Sequence, residues 1–146
     1  MKSIIRGVYG EVFCHETEDI EKVMKGFEIF FPKKNIKKKV QKGVYGTNIT
    51  IITSKLKNKS AKILFDKIFK NISTFEIERI LKNPKKWLDE DGKFYLNLNK
   101  QKANKKEIIE LCEYEDSIKI VFSIQSYPAN YNSLTKTLSE LLKSYM

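Results

Sequence analysis

Phe94, Leu96 and Leu98 alternate strictly with Tyr95, Asn97 and Asn99, in a stretch that runs on into Lys100-Gln101-Lys102-Ala103. A period of two puts the first three residues on one face of a strand and the other three on the opposite face. An Asp91-Gly92 turn opens the strand, and a cluster of Lys, Gln and Asn closes it. The apolar face requires a layer to pack on. The other face carries a ring, two amides and then cations, which is unusual chemistry to leave facing water.

The rest of the chain supplies that layer. Ile4 to His15 reads as a first strand, with Val8, Gly10, Val12 and Cys14 on one face and Tyr9, Glu11, Phe13 and His15 on the other. Thr17 is the expected N-cap of a helix whose first turn holds Glu18, Asp19 and Glu21 and whose stripe is Ile20, Val23, Met24 and Phe27. Pro32 stops it at the latest. The basic run from Lys33 to Lys42 is too polar for a core and reads as a loop entering an exposed strand. Val40 to Tyr45 pairs with the β-prone Asn48 to Leu56 as a hairpin around Gly46.

Helix resumes at Asn58–Ser60, with Ala61, Leu64, Phe65, Ile68, Phe69 and Ile72 at helical spacing. Ser73 and Glu76 form a capping box for the next helix, which Pro84 ends. After Ala103 the segment Glu107 to Cys112 fits a helical turn or a short strand. Asp116 to Ser126 is a strand with Ile118, Ile120, Phe122 and Ile124 on one face. A last helix carries Tyr131, Leu134, Leu138, Leu141, Leu142 and Tyr145 in a stripe. Strands and helices in this order predict an α+β two-layer sandwich: a mostly antiparallel sheet with helices packed on one face. A chain of 146 residues suits a single domain spanning 1–146. No apolar run nears the roughly 18 residues of a membrane span, and Met1-Lys2-Ser3-Ile4-Ile5-Arg6 does not read as a signal peptide, so a cytoplasmic protein is expected.

Lys and Arg number 28 against 18 acids, a net charge of +10. That surplus favours a polyanionic partner, nucleic acid before membrane. A bias toward Lys, Ile and Asn accounts for Lys in place of Arg but not for the excess of bases over acids. Cys14 and Cys112 stand in no motif and read as reduced core residues. His15 is the single histidine, and its neighbour Cys14 points to the opposite face of a strand, so no metal site and no cofactor are expected. No nucleophile elbow or phosphate loop is present, and the pairs Glu90-Asp91 and Glu115-Asp116 sit beside predicted turns. No catalytic residue is assigned.

Nucleic-acid chemistry fits better. Lysines meet phosphates, Asn and Gln meet base edges or the ribose hydroxyl, and exposed rings stack on unpaired bases. Tyr95, Asn97, Asn99, Lys100 and Gln101 bring all three kinds of group into one short stretch. The same spacing equally fits a helical turn in which Gln101 and Ala103 pack below the sheet.

Three motifs in order carry a resemblance. They are a strand ending Val12-Phe13-Cys14-His15 before Glu16-Thr17-Glu18-Asp19, a turn Tyr45-Gly46-Thr47-Asn48-Ile49-Thr50 into a strand, and a strand running into Lys100-Gln101-Lys102-Ala103. The chain resembles the small archaeal RNA-binding proteins described as predicted exosome subunits, whose fold is like that of the ribosomal protein that contacts 5S ribosomal RNA. Two departures stand out: Asn97 and Asn99 occupy the places of an Arg-x-Asp, and Gly-Asn-Pro-Ile has become Gly46-Thr47-Asn48-Ile49. The resemblance implies RNA binding without catalysis and, more distantly, exosome or ribosome-related partners. The expected RNA contacts are Lys100 and Gln101, then Asn48, His15, Tyr95 and Asn97, with Lys33, Lys34, Lys37 and Lys38 on phosphates. The alternatives are a protein-interaction module docking on an RNA-processing complex, and a metal-dependent nuclease. A homodimer partner over the open sheet face is also compatible with the sequence.

Overall fold

The computed structural model of the protein describes residues 4–43 and 46–146. Val44 and Tyr45, which belong to the expected hairpin and turn motif, lie outside the described residues, as does the N-terminal tripeptide. Among the described residues, five strands and five α-helices form an α+β fold with an open antiparallel sheet. The strands are β1 (Ile5–His15), β2 (Lys37–Lys42), β3 (Asn48–Lys57), β4 (Lys93–Leu98) and β5 (Ile118–Ile124), hydrogen-bonded in the order β2-β3-β1-β5-β4. The helices are α1 (Ile20–Glu28), α2 (Asn58–Asn71), α3 (Thr74–Lys82), α4 (Lys100–Lys106) and α5 (Tyr131–Lys143). Contacts cluster into two compact units, one of residues 4–8, 57–96 and 121–146, the other of residues 9–56 and 97–120.

The first unit is built on aromatic packing. Phe65 lies 4.5 Å from Phe69 and 5.0 Å from Phe122, between ring centroids. Phe65, Phe94 and Phe122 are fully buried, which stabilises the fold by about 1.5–3 kcal/mol each. Leu134, Leu138 and Leu142 of α5 repeat every four residues and are buried together. Ser73 caps α3 by accepting from the Glu76 N–H, as the capping-box spacing predicts. Tyr145 anchors the C-terminal end: its hydroxyl bonds Asp66, and Lys62 Nζ donates to Asp66 at 2.9 Å and to Tyr145 at 3.0 Å.

That cluster makes the fold acid-sensitive. Burial alone pushes the Asp66 carboxyl up, but hydrogen bonds from Tyr145 and Lys62 outweigh it and hold the group below its ordinary 3.8. A depressed carboxyl contributes stability that is complete above its unfolded value and is lost as pH falls through the folded value. Asp66→Asn is therefore less stable than the native chain at neutral pH, and the two converge in thermal midpoint as pH is lowered below 3.8. A constant gap across that range contradicts the assignment.

The second unit packs α1 and α4 below the sheet. Val23 and Phe27 are buried, and Phe27 stacks on Phe31 at 4.9 Å. Asp19, not Thr17, caps α1, because its carboxylate accepts from the Glu21 N–H two residues on. Gly26 lets α4 approach: a Cβ there would lie 2.2 Å from Asn104 Oδ1 and 3.1 Å from the Asn104 backbone nitrogen. Asn104 Oδ1 is itself buried without a partner among the described residues. Alanine at a helical glycine gains about 1 kcal/mol of propensity, whereas overpacking costs about 1–3 kcal/mol. The side-chain oxygen can move but the backbone cannot, so overpacking wins. Gly26→Ala lowers unfolding free energy by about 1 kcal/mol, or a few degrees in thermal midpoint. An unchanged midpoint contradicts this packing.

A hairpin pairs Lys37 opposite Thr53 through Lys42 opposite Asn48, so of the expected Val40–Tyr45 strand the described residues show Val40 to Lys42 paired. Its first strand begins three residues earlier than Val40, and every residue of β2 is exposed. The Glu107–Cys112 segment is neither helix nor strand; Leu111 makes a single bridge to Leu98.

Candidate nucleic-acid interface

The second unit holds His15 at the end of β1, Asn48 at the start of β3 and Lys100 at the start of α4. β1 ends at His15, and the chain turns back through the Glu18 N–H, which donates to the His15 carbonyl at 2.9 Å. Glu18 Oε1 in turn accepts from the His15 N–H at 3.0 Å. Glu16 Oε2 accepts from the Asn48 N–H at 3.2 Å, tying the start of β3 to this turn. Asn99 caps α4 by accepting from the Lys102 N–H, so Lys100 is the first helical residue.

Lys100 is 1% exposed. Its ammonium donates to the Phe13 carbonyl at 2.6 Å, Glu18 Oε1 at 2.7 Å and Asp116 Oδ1 at 3.0 Å. A lysine has three N–H donors, and all three are used. This placement corrects the expectation of a direct phosphate contact: the group is turned inward, and no donor is left for RNA. Lys100 instead fastens the end of β1, the turn before α1 and the segment before β5.

His15 Nε2 lies 3.5 Å from Asp116 Oδ1, with the imidazole half exposed. Ligand atoms of His15, Glu18 and Asp116 all lie within 4.8 Å of one another, spacing that could hold a metal ion. The Lys100 ammonium already occupies that role electrostatically, contacting both carboxylates.

The other expected contacts divide. Gln101 is exposed in the first turn of α4, and Asn48 is exposed at the start of β3. Asn97 is half buried, and its Oδ1 accepts from Ser117 Oγ at 3.2 Å. Lys33 and Lys34 are exposed in a 3-10 turn, and Lys37 and Lys38 are exposed on β2. Tyr95 belongs to the first unit; the residue is 47% exposed and its hydroxyl donates to Asp89 at 3.1 Å.

The acids around Lys100 escape sequence reasoning. Glu18 reads as a helix-dipole charge and Asp116 as a turn acid, yet they bond a lysine 82 and 16 residues away. Asn99 followed three residues on by Lys102 is the one local signal that marks the start of α4.

A family described as RNA binding matches residues 8–124. The chain is 26% identical over 138 residues to the RNA-binding protein PAB1135 of Pyrococcus abyssi, covering 90% of this chain and 89% of that one. It is 31% identical over 138 residues to an uncharacterized protein of Methanocaldococcus jannaschii, covering 85% and 88%. A crystal structure of a DUF54 protein from Archaeoglobus fulgidus superposes with a TM-score of 0.81 at 25% identity, covering 94% of this chain and 99% of that one. A match over most of its length, carried by a fold shared with archaeal relatives, places this chain in the RNA-binding family.

Proposed function

We propose that this protein is a non-catalytic RNA-binding protein that acts in cytoplasmic RNA processing or ribosome-related RNA handling. The observation that carries the reading is the segment 33–42, where Lys33, Lys34, Lys37, Lys38, Lys39 and Lys42 are all exposed. None of them is paired with an acid among the described residues. Lysine on an edge strand also discourages pairing with another sheet, but one or two charges suffice for that. Six in ten residues make a phosphate-binding ridge. Gln101 and Asn48 offer amides to base edges or the ribose hydroxyl, and half-exposed His15 offers a ring. Lys100 positions these groups from below without touching the ligand.

The resemblance supports a place beside exosome or ribosome-related proteins. It gives no reason to assign the acids a catalytic role, and Asp116 is committed to Lys100 and His15. The test is a binding titration with total cellular RNA at several salt concentrations. Each neutralised phosphate contributes about −0.7 to −0.9 to the slope of log K against log salt, so a slope of −3 or steeper is expected. Absence of binding at low salt overturns the reading.

A further inference from the structure

The sheet of the second unit has a second face. Burial of Val12, Cys14, Ile52 and Ser54 fixes the inward side of β1 and β3. By alternation Tyr9, Glu11, Phe13 and His15 lie on the other side of β1, and all four are half buried. Ile49, Ile51 and Thr53 share that side of β3. The hairpin register sets Gln41, Lys39 and Lys37 directly opposite them, so two exposed lysines border the same face. From β5, Lys119 Nζ reaches over the Phe13 ring at 5.8 Å from its centroid.

The charges on this face are ordered. Cations border it on both sides, at Lys37 and Lys39 and at Lys119. Between them lie rings, aliphatic side chains and the Glu11 carboxylate, and at the end of β1 Asp116 stands beside His15. The Tyr9 hydroxyl donates to Glu11 at 2.9 Å. Burial first, then that hydrogen bond and the Glu11 charge, push the phenol up to about 12, so the ring stays neutral. Glu11 repels phosphate from the middle of the face, whereas the lysines draw it to the border. A polyanion lying here must therefore keep its backbone at the edge and turn something flat and apolar inward.

We infer that this face takes single-stranded RNA, its bases stacked on Phe13 and Tyr9 and its phosphates on Lys37, Lys39 and Lys119. The inference rests on the RNA-binding reading above and names the class of RNA. A duplex presents phosphates and groove edges but no free base face, so it leaves the rings and Ile51 without partners. An unpaired strand satisfies both zones. Tyr9 and Phe13 are four residues apart along β1, about 13 Å, which gives each ring its own base. Lys119, held near the Phe13 ring by its charge, swings out to a phosphate as a base replaces it.

Fluorescence anisotropy distinguishes the outcomes. The probes are a labelled oligoribonucleotide without self-complementarity and the same strand annealed to its complement. The single strand binds at least about tenfold tighter, and Phe13→Leu weakens it roughly 5- to 150-fold, the range of one base–aromatic stack. The salt slope and the duplex affinity do not change, because no cation is lost. Tyr9→Leu is the second variant should Phe13→Leu fail to fold, with the same expectation. Equal affinity for the two probes, or folded ring variants that bind as the native chain does, overturns the inference. Duplex binding alone overturns it and leaves the RNA-binding reading standing; binding of neither probe overturns that reading as well.

Discussion

Lys100→Met lowers the unfolding free energy by about 3 kcal/mol, read as a thermal midpoint on the order of 10 °C lower. The methionine keeps an apolar stem of similar length, so the change isolates the ammonium. That group is 1% exposed and bonds two carboxylates and the Phe13 carbonyl. Without it, Glu18, itself only 19% exposed, loses its counter-charge and faces a bare carbonyl. Breaking one side of a buried ion pair costs about 3–5 kcal/mol, and the half-exposed Asp116 places the expectation at the low end because water reaches it. Adding Glu18→Gln to Lys100→Met recovers part of the loss, since an uncharged amide can donate to the freed carbonyl. A lysine on the surface behaves differently: its removal shifts stability by less than about 0.5 kcal/mol and weakens RNA binding uniformly. Circular dichroism melting separates the two roles. An unchanged midpoint with weakened binding shows Lys100 to be a contact after all.

Replacing Lys33, Lys34, Lys37 and Lys38 together by glutamine has the opposite signature. All four are exposed, so the fold melts within a few degrees of the native chain. Binding to RNA weakens by roughly one to two orders of magnitude at moderate salt. The slope of log K against log salt becomes shallower by about 3, close to one phosphate per lysine. Isothermal or anisotropy titrations at three salt concentrations measure both. A weakened affinity with an unchanged slope assigns these lysines some role other than phosphate contact.

Much of the fold is legible because its signals are local. Phe94, Leu96 and Leu98 alternate and are buried; Ile118, Ile120, Phe122 and Ile124 do the same. The stripes of α2 and α5 and the Ser73 cap read directly from spacing. The start of α4 is less visible, since Lys100-Gln101-Lys102 carries no apolar period before Ala103 and only Asn99 marks it. Lys100 itself could not be read correctly from the chain. Lysine is almost never buried unless it is paired, and its partners here come from distant segments of sequence. At Asn97 the strand at Phe94–Leu98 bonds back into the fold, its side-chain oxygen accepting from Ser117. Exposed groups of the basic hairpin, by contrast, stand where a charge run predicts them.

Ultraviolet crosslinking of the native chain to cellular RNA, followed by mass spectrometry of the adduct peptides, tests the account most directly. It needs no prior choice of RNA. The account predicts adducts in the peptides that hold Tyr9 to His15 and Lys33 to Lys42, with further adducts near Gln101. Adducts confined to residues 57–96 and 131–146, or none at all, contradict it.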